Sequence, residues 1–196
     1  MSHDALITAT SLEWNVAYTR HQHEKSVAEN LRGKGFEVFL PTYDAVRRWS
    51  DRKKQVTVPL FPCYVFVRSN VERRFGIITT PGIHLVIMFA GRPAAVPDHE
   101  LEAIRKALQS NLRVEPHPFL RCGDWVRVTS GPLVDVEGIL IRKKSSCRLV
   151  LSVELLGKSA AVEIDAFSVR PIPRRVTRTP LLSAHSDLTI KQERAV

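Results

Sequence analysis

From Gly123 onward the chain carries short apolar runs punctuated by turn residues, and this spacing allows little besides a small β-structure. The runs are Trp125–Val128, Gly138–Ile141, Arg148–Leu155 and Ala161–Ile164, and Val169 starts a further one. Gly131-Pro132, Lys143 to Ser146 and Gly157-Lys158 separate them. No helical periodicity runs through the segment. Short strands with a turn roughly every ten residues describe a small barrel. A segment of about fifty residues buries only a small core, and closing the sheet removes its exposed edges. The expectation is a small five-stranded β-barrel over residues 121–173, stable as strands rather than helices.

The first half reads differently. Trp14–Thr19 alternates like a strand. From Gln22 to Lys34, Val27, Ala28 and Leu31 share one helical face, and Gly33 and Gly35 stop the helix. Phe36–Leu40 is a second strand, closed by Pro41. Asp44–Gln55 is polar and basic and reads as a mobile hairpin or loop. Pro59 and Pro62 exclude a helix before Cys63–Val67, a buried strand. Val71–Ile78 suits a short helix, and His84–Phe89 another strand. Asp98 caps a helix from His99 to Leu108, with Leu101, Ile104, Ala107 and Leu108 inward. The order β-α-β-(hairpin)-β-α-β-α predicts a ferredoxin-like α/β sandwich.

The pattern fades between these halves, where Pro116 and Pro118 stiffen a linker. The predicted layout is an N-terminal tail over 1–12, an α/β domain over 13–108, a linker over 109–120, the barrel over 121–173 and a disordered basic tail over 174–196.

With 29 Lys and Arg against 20 Asp and Glu, the net charge is +9. Such a balance favours phosphate-rich or acidic partners, or serves solubility alone. The cysteines, Cys63, Cys122 and Cys147, are odd in number and form no CxxC pair, which argues against a disulfide framework or structural zinc. Met1–Glu13 lacks the pattern of a signal peptide, and no stretch approaches the ~18 apolar residues of a membrane span. The expected setting is cytoplasmic, with no membrane partner. His21 and His23 read as surface residues with no carboxylate or cysteine cluster, and no Walker loop, nucleophile elbow or zinc spacing occurs. Neither enzymatic activity, nor a cofactor, nor a metal is expected.

Two sets of motifs carry a resemblance. Gly123-Asp124-Trp125-Val126-Arg127-Val128, then Gly131-Pro132-Leu133-Val134-Asp135-Val136-Glu137-Gly138, resembles the KOW motif of NusG-type transcription factors. In the first half Trp14, Glu24 and Lys25, Phe39-Leu40-Pro41, Leu60 to Val67 and Thr80-Pro81-Gly82-Ile83 resemble the NusG N-terminal domain. The likeness runs from about Trp14 to Ile172, and it implies that the barrel is SH3-like. Tyr18, the Pro-Leu-Phe-Pro-x-Tyr-x-Phe-Val run and Pro93 to Pro97 are similar to the specialised RfaH and UpxY antiterminators.

The resemblance implies a monomeric elongation and antitermination factor serving a restricted set of operons. Its first domain would grip the clamp helices of the RNA polymerase largest subunit through Tyr18, Phe61, Pro62, Tyr64 and Phe66. Alternation puts Tyr64 and Phe66 on one face, and that face either binds the partner or packs the helices. Arg20, Lys25, Arg32 and Lys34 would approach non-template DNA, or form a solvated helix face. Trp49 would stack on a base or fold onto its loop. Arg73 and Arg74 stand where RfaH carries a polymerase-touching motif, but do not match it. In the barrel, Gly131, Pro132, Leu133, Val134, Val136 and Gly138 form the motif loop, where family members meet a ribosomal protein, a termination factor or RNA. Lys143, Lys144 and Arg148 would touch RNA or merely solubilise a turn. A general housekeeping NusG and a ribosome-associated KOW protein remain the alternatives.

Overall fold

The computed structural model describes residues 12–48, 53–117, 123–143 and 146–173. All but the last residue of the tail assigned to 1–12, the tail assigned to 174–196, and Trp49, Cys122 and Lys144 lie outside the described residues.

In chain order the elements are β1 (Glu13–Thr19), α1 (Glu24–Gly33), β2 (Glu37–Phe39), β3 (Thr42–Arg48), β4 (Lys53–Pro59), β5 (Tyr64–Ser69), α2 (Arg74–Ile78) and β6 (Ile83–Val86). Short β7 (Met88–Phe89), β8 (Arg92–Pro93) and β9 (Ala95–Val96) precede α3 (Asp98–Gln109). Then come β10 (Val114–His117), β11 (Asp124–Val128), β12 (Glu137–Lys143), β13 (Ser146–Val153), β14 (Lys158–Ile164) and β15 (Val169–Pro171).

The first sheet has the order β2-β5-β1-β6, every neighbouring pair antiparallel, with β9 also on β1. Each strand-helix-strand unit is therefore split by a strand of the other, the arrangement of a ferredoxin-like sandwich. Both sheet faces are covered. Ala17, Val65 and Val67 pack with Val27, Ala28 and Leu31 of α1 and Ile77 of α2. Trp14, Val16 and Phe66 pack with Leu101, Ile104 and Ala107 of α3. The apolar stripe of α3 falls at i, i+3 and i+6, so one helix face supplies that cover. Each buried Leu or Ile there contributes about 1.5–3 kcal/mol by removal from water.

Of the hairpin or loop expected after β2, the structure has the hairpin, a two-stranded ribbon. β3 and β4 pair from Thr42↔Pro59 to Arg48↔Lys53. Asp44 stitches it by accepting from Thr57 Oγ1 at 2.7 Å and Gln55 Nε2 at 3.1 Å.

Two expectations are corrected. Val114–His117 lies inside the supposed linker, yet pairs with β14 as an edge strand. An edge tolerates Pro116, which has no N–H to offer a ladder. The second sheet is six-stranded, in the order β10-β14-β13-β12-β11-β15, and among the described residues its two outer strands do not pair to close it. This is an open antiparallel sheet rather than a closed five-stranded barrel. The two halves also share a core: Leu101, Ile104 and Phe66 belong to the same buried cluster as Val126, Leu133, Leu149 and Val162.

Candidate functional site

Strand register builds the candidate surface in the first half. Tyr18 faces Tyr64 across β1–β5 and Leu85 across β1–β6. Directly opposed residues share a sheet face, so the three side chains form one row. The Tyr18 and Tyr64 rings lie 5.5 Å apart and tilted, with His84 5.9 Å from Tyr18. Burial pushes the Tyr64 phenol up from its ordinary range, reinforced by Tyr18 and Cys63. It stays a neutral donor at physiological pH. Both tyrosines are half-buried, Leu85 is exposed, and Pro62 is exposed on the turn before β5. Rings fixed on a sheet offer large contact area with little side-chain entropy to lose.

Phe61 and Phe66 take the other side of this expectation. They are 2% and 0% exposed and meet edge to face at 6.1 Å. The reason is tertiary. Arg105 of α3 stacks over Phe39 at 5.0 Å and Trp14 at 5.9 Å, so α3 lies across the Trp14 and Phe66 rows. Phe61 and Phe66 thus belong to the core under α3 and present no surface. Leu85 was not singled out from the sequence, because nothing local aligns it with Tyr18.

The four basic residues divide as well. Arg20, Lys25, Arg32 and Lys34 are all exposed. Lys25 Nζ donates to Thr57 O at 2.9 Å, which ties α1 to the β3–β4 ribbon. Lys34 Nζ donates to Gly76 O at 2.9 Å and Thr80 Oγ1 at 2.8 Å, closing the end of α2. Arg20 and Arg32 have no such tie among the described residues. The ribbon register sets Arg47 opposite Lys54 and Arg48 opposite Lys53, bringing four basic positions to one end. Arg73 stacks over Phe36 at 4.2 Å and donates to Gly35 O at 3.1 Å, a packing role.

In the second half the motif loop is tightly folded. The N–H of Val128 donates to Val136 O, and that of Asp135 to Val128 O, both at 2.9 Å. Gly131 holds φ at 85°. A Cβ on Gly138 would stand 2.6 Å from Val150 O, so the close strand approach there requires glycine. Leu133 and Val136 point into the core, whereas Val134 is exposed, as are Gly131 and Pro132. Phe167 is 95% exposed on the turn Ala166–Ser168, which Thr129 N–H holds to Ser168 O at 2.8 Å. Sequence reading missed Phe167. Its signal was an Asp165 cap ahead of an aromatic with no strand partner.

The two halves meet through a carboxyl group. Glu100 Oε2, 9% exposed in the first turn of α3, accepts the Glu154 N–H at 3.2 Å. Burial pushes this carboxyl up to about 7; the Glu154 hydrogen bond opposes the rise and the Glu154 charge adds to it.

An aromatic row on a rigid sheet, a basic side and a second sheet with an exposed aromatic turn define a two-part binding protein. Residues 12–105 match the family described as "Transcription termination factor nusG". The chain thus carries a NusG family domain and is homologous to NusG proteins. It is 28% identical over 163 residues to "Transcription termination/antitermination protein NusG" of Escherichia coli, covering 80% of this chain and 88% of that one. Against the protein of the same name from Pseudomonas aeruginosa it is 27% identical over 173 residues, covering 81% and 98%. Its fold is similar to the structure described as "Domain interaction in Thermotoga maritima NusG", at a TM-score of 0.50 and 23% identity, covering 84% of this chain and 99% of that one. Among the described residues no helix is long and apolar enough to cross a membrane.

Proposed function

We propose that this protein is a cytoplasmic transcription elongation factor that binds RNA polymerase and promotes antitermination on a restricted set of operons. It is a binding protein, not an enzyme. The observation that carries the reading is the NusG family domain over residues 12–105, on which Tyr18, Tyr64 and Leu85 form an aligned, accessible row. NusG family proteins bind RNA polymerase, and the row is the surface proposed to meet the clamp helices of the largest subunit. Arg20 and Arg32 supply phosphate contacts to non-template DNA. The second sheet acts as a KOW domain, with Val134 and Phe167 facing a ribosomal protein, a termination factor or RNA. The effect on transcription is differential binding to the moving over the paused polymerase.

The test is capture of polymerase by the full chain. Wild type is expected to retain it, and Tyr18→Ala with Tyr64→Ala to lose it. Capture that the double variant leaves intact sinks the row as the contact. A second reading is a general NusG acting on most genes, favoured by the relatives above, which carry that name. Genome-wide co-occupancy with polymerase decides between them: a few operons support the specialist, uniform occupancy the general factor.

A further inference from the structure

The loop after β1 and the turn before β5 bring three side chains of different chemistry together. His21, Glu24 and Cys63 each offer a donor atom, and these atoms all lie within 4.8 Å of one another. We propose that His21, Glu24 and Cys63 form a binding site for a borderline-soft divalent cation of the zinc class, with solvent completing the coordination.

Geometry is the first argument. The His21 Nδ1 and Cys63 Sγ atoms are 3.8 Å apart. Zinc bonds of about 2.3 Å to sulfur and about 2.0 Å to nitrogen place two tetrahedral ligands roughly 3.6 Å apart. The pair therefore needs a shift of only a few tenths of an ångström.

Preorganisation is the second. Cys63 holds φ at 68°, a left-handed conformation that non-glycine residues seldom adopt. Its backbone is pinned on both sides. The N–H donates to Glu24 Oε1 at 2.8 Å, and the carbonyl accepts the Thr19 N–H at 2.9 Å. A glycine would serve this turn with less strain, so the residue stands there for its sulfur.

Charge is the third. Glu24 is 3% exposed, and among the described residues no lysine or arginine pairs with its carboxylate. Burying a carboxylate with one backbone donor and no counter-charge is costly. A bound cation would supply that counter-charge and neutralise the carboxylate. Imidazole, thiolate and carboxylate together suit zinc better than magnesium or calcium, which prefer all-oxygen sites. The cation would join the turn that carries Pro62 to the N-terminus of α1, directly beside the tyrosine row.

Cobalt(II) titration of the full-length, reduced protein tests this. The wild type is expected to bind one equivalent with a thiolate-to-cobalt charge-transfer band and the visible spectrum of a tetrahedral ion, displaced by zinc. Cys63→Gly and His21→Ala are expected to lose the band, while Cys147→Ser and His23→Ala keep it. Cys63→Gly relieves the left-handed backbone, so its loss of metal is separable from misfolding, and circular dichroism checks that the fold is kept. A wild type without the band, or a band that survives in folded Cys63→Gly, overturns the proposal.

Discussion

Replacing Glu100 by glutamine should remove a pH dependence from the stability of the whole chain. Glu100 sits where α3 meets the second sheet, and its carboxyl is held at about 7 against an ordinary value of 4.5. The folded state therefore holds the proton more tightly than the unfolded chain. Below pH 4.5 both states are protonated, and this group's contribution is intact. As pH rises, the unfolded chain gives up the proton first, so stability falls until the folded group also ionises near 7. The gap is roughly two and a half units at about 1.4 kcal/mol each, so the loss is about 3 kcal/mol. That is a large share of the 5–15 kcal/mol typical of a domain. Glutamine keeps an oxygen to accept the Glu154 N–H but cannot ionise. Urea unfolding followed by fluorescence of the buried Trp14 at pH 5, 6, 7 and 8 provides the assay. Wild type should lose stability across this range from this group, and Glu100→Gln should flatten the slope and be the more stable protein at pH 8. Parallel pH profiles for the two proteins would refute the reasoning.

Three other substitutions separate packing from recognition. Phe66→Ala empties a site with no exposure and should cost about 3–5 kcal/mol in denaturant unfolding, whereas Tyr64→Ala, at the half-buried end of the same strand face, should cost less and act mainly on polymerase capture. Phe167→Ala changes a side chain that is 95% exposed, so stability should stay within about 0.5 kcal/mol while binding to the second sheet's partner weakens; a large fall in melting temperature would show that Phe167 packs after all.

Local physics made much of this protein legible in its sequence. The i, i+3, i+6 stripe of α3 and the alternation along β1 and β5 depend on neighbours a few residues apart, and the elements formed there. Gly131 and Gly138 were readable because backbone geometry acts at single residues. What the sequence could not decide was which face of β5 stays open. Tyr64 and Phe66 share that face by alternation, but α3, some thirty residues on, covers one and leaves the other half-buried. The edge strand inside the supposed linker was hidden for the same reason, since Val114 becomes a strand residue only by pairing with Val162. His21 and Cys63, forty-two residues apart, show no metal-ligand spacing along the chain. Short-range spacing and turn chemistry determined the elements. The approach of distant segments, set by how the elements pack, decided which side chains are covered, which meet and which remain free to bind.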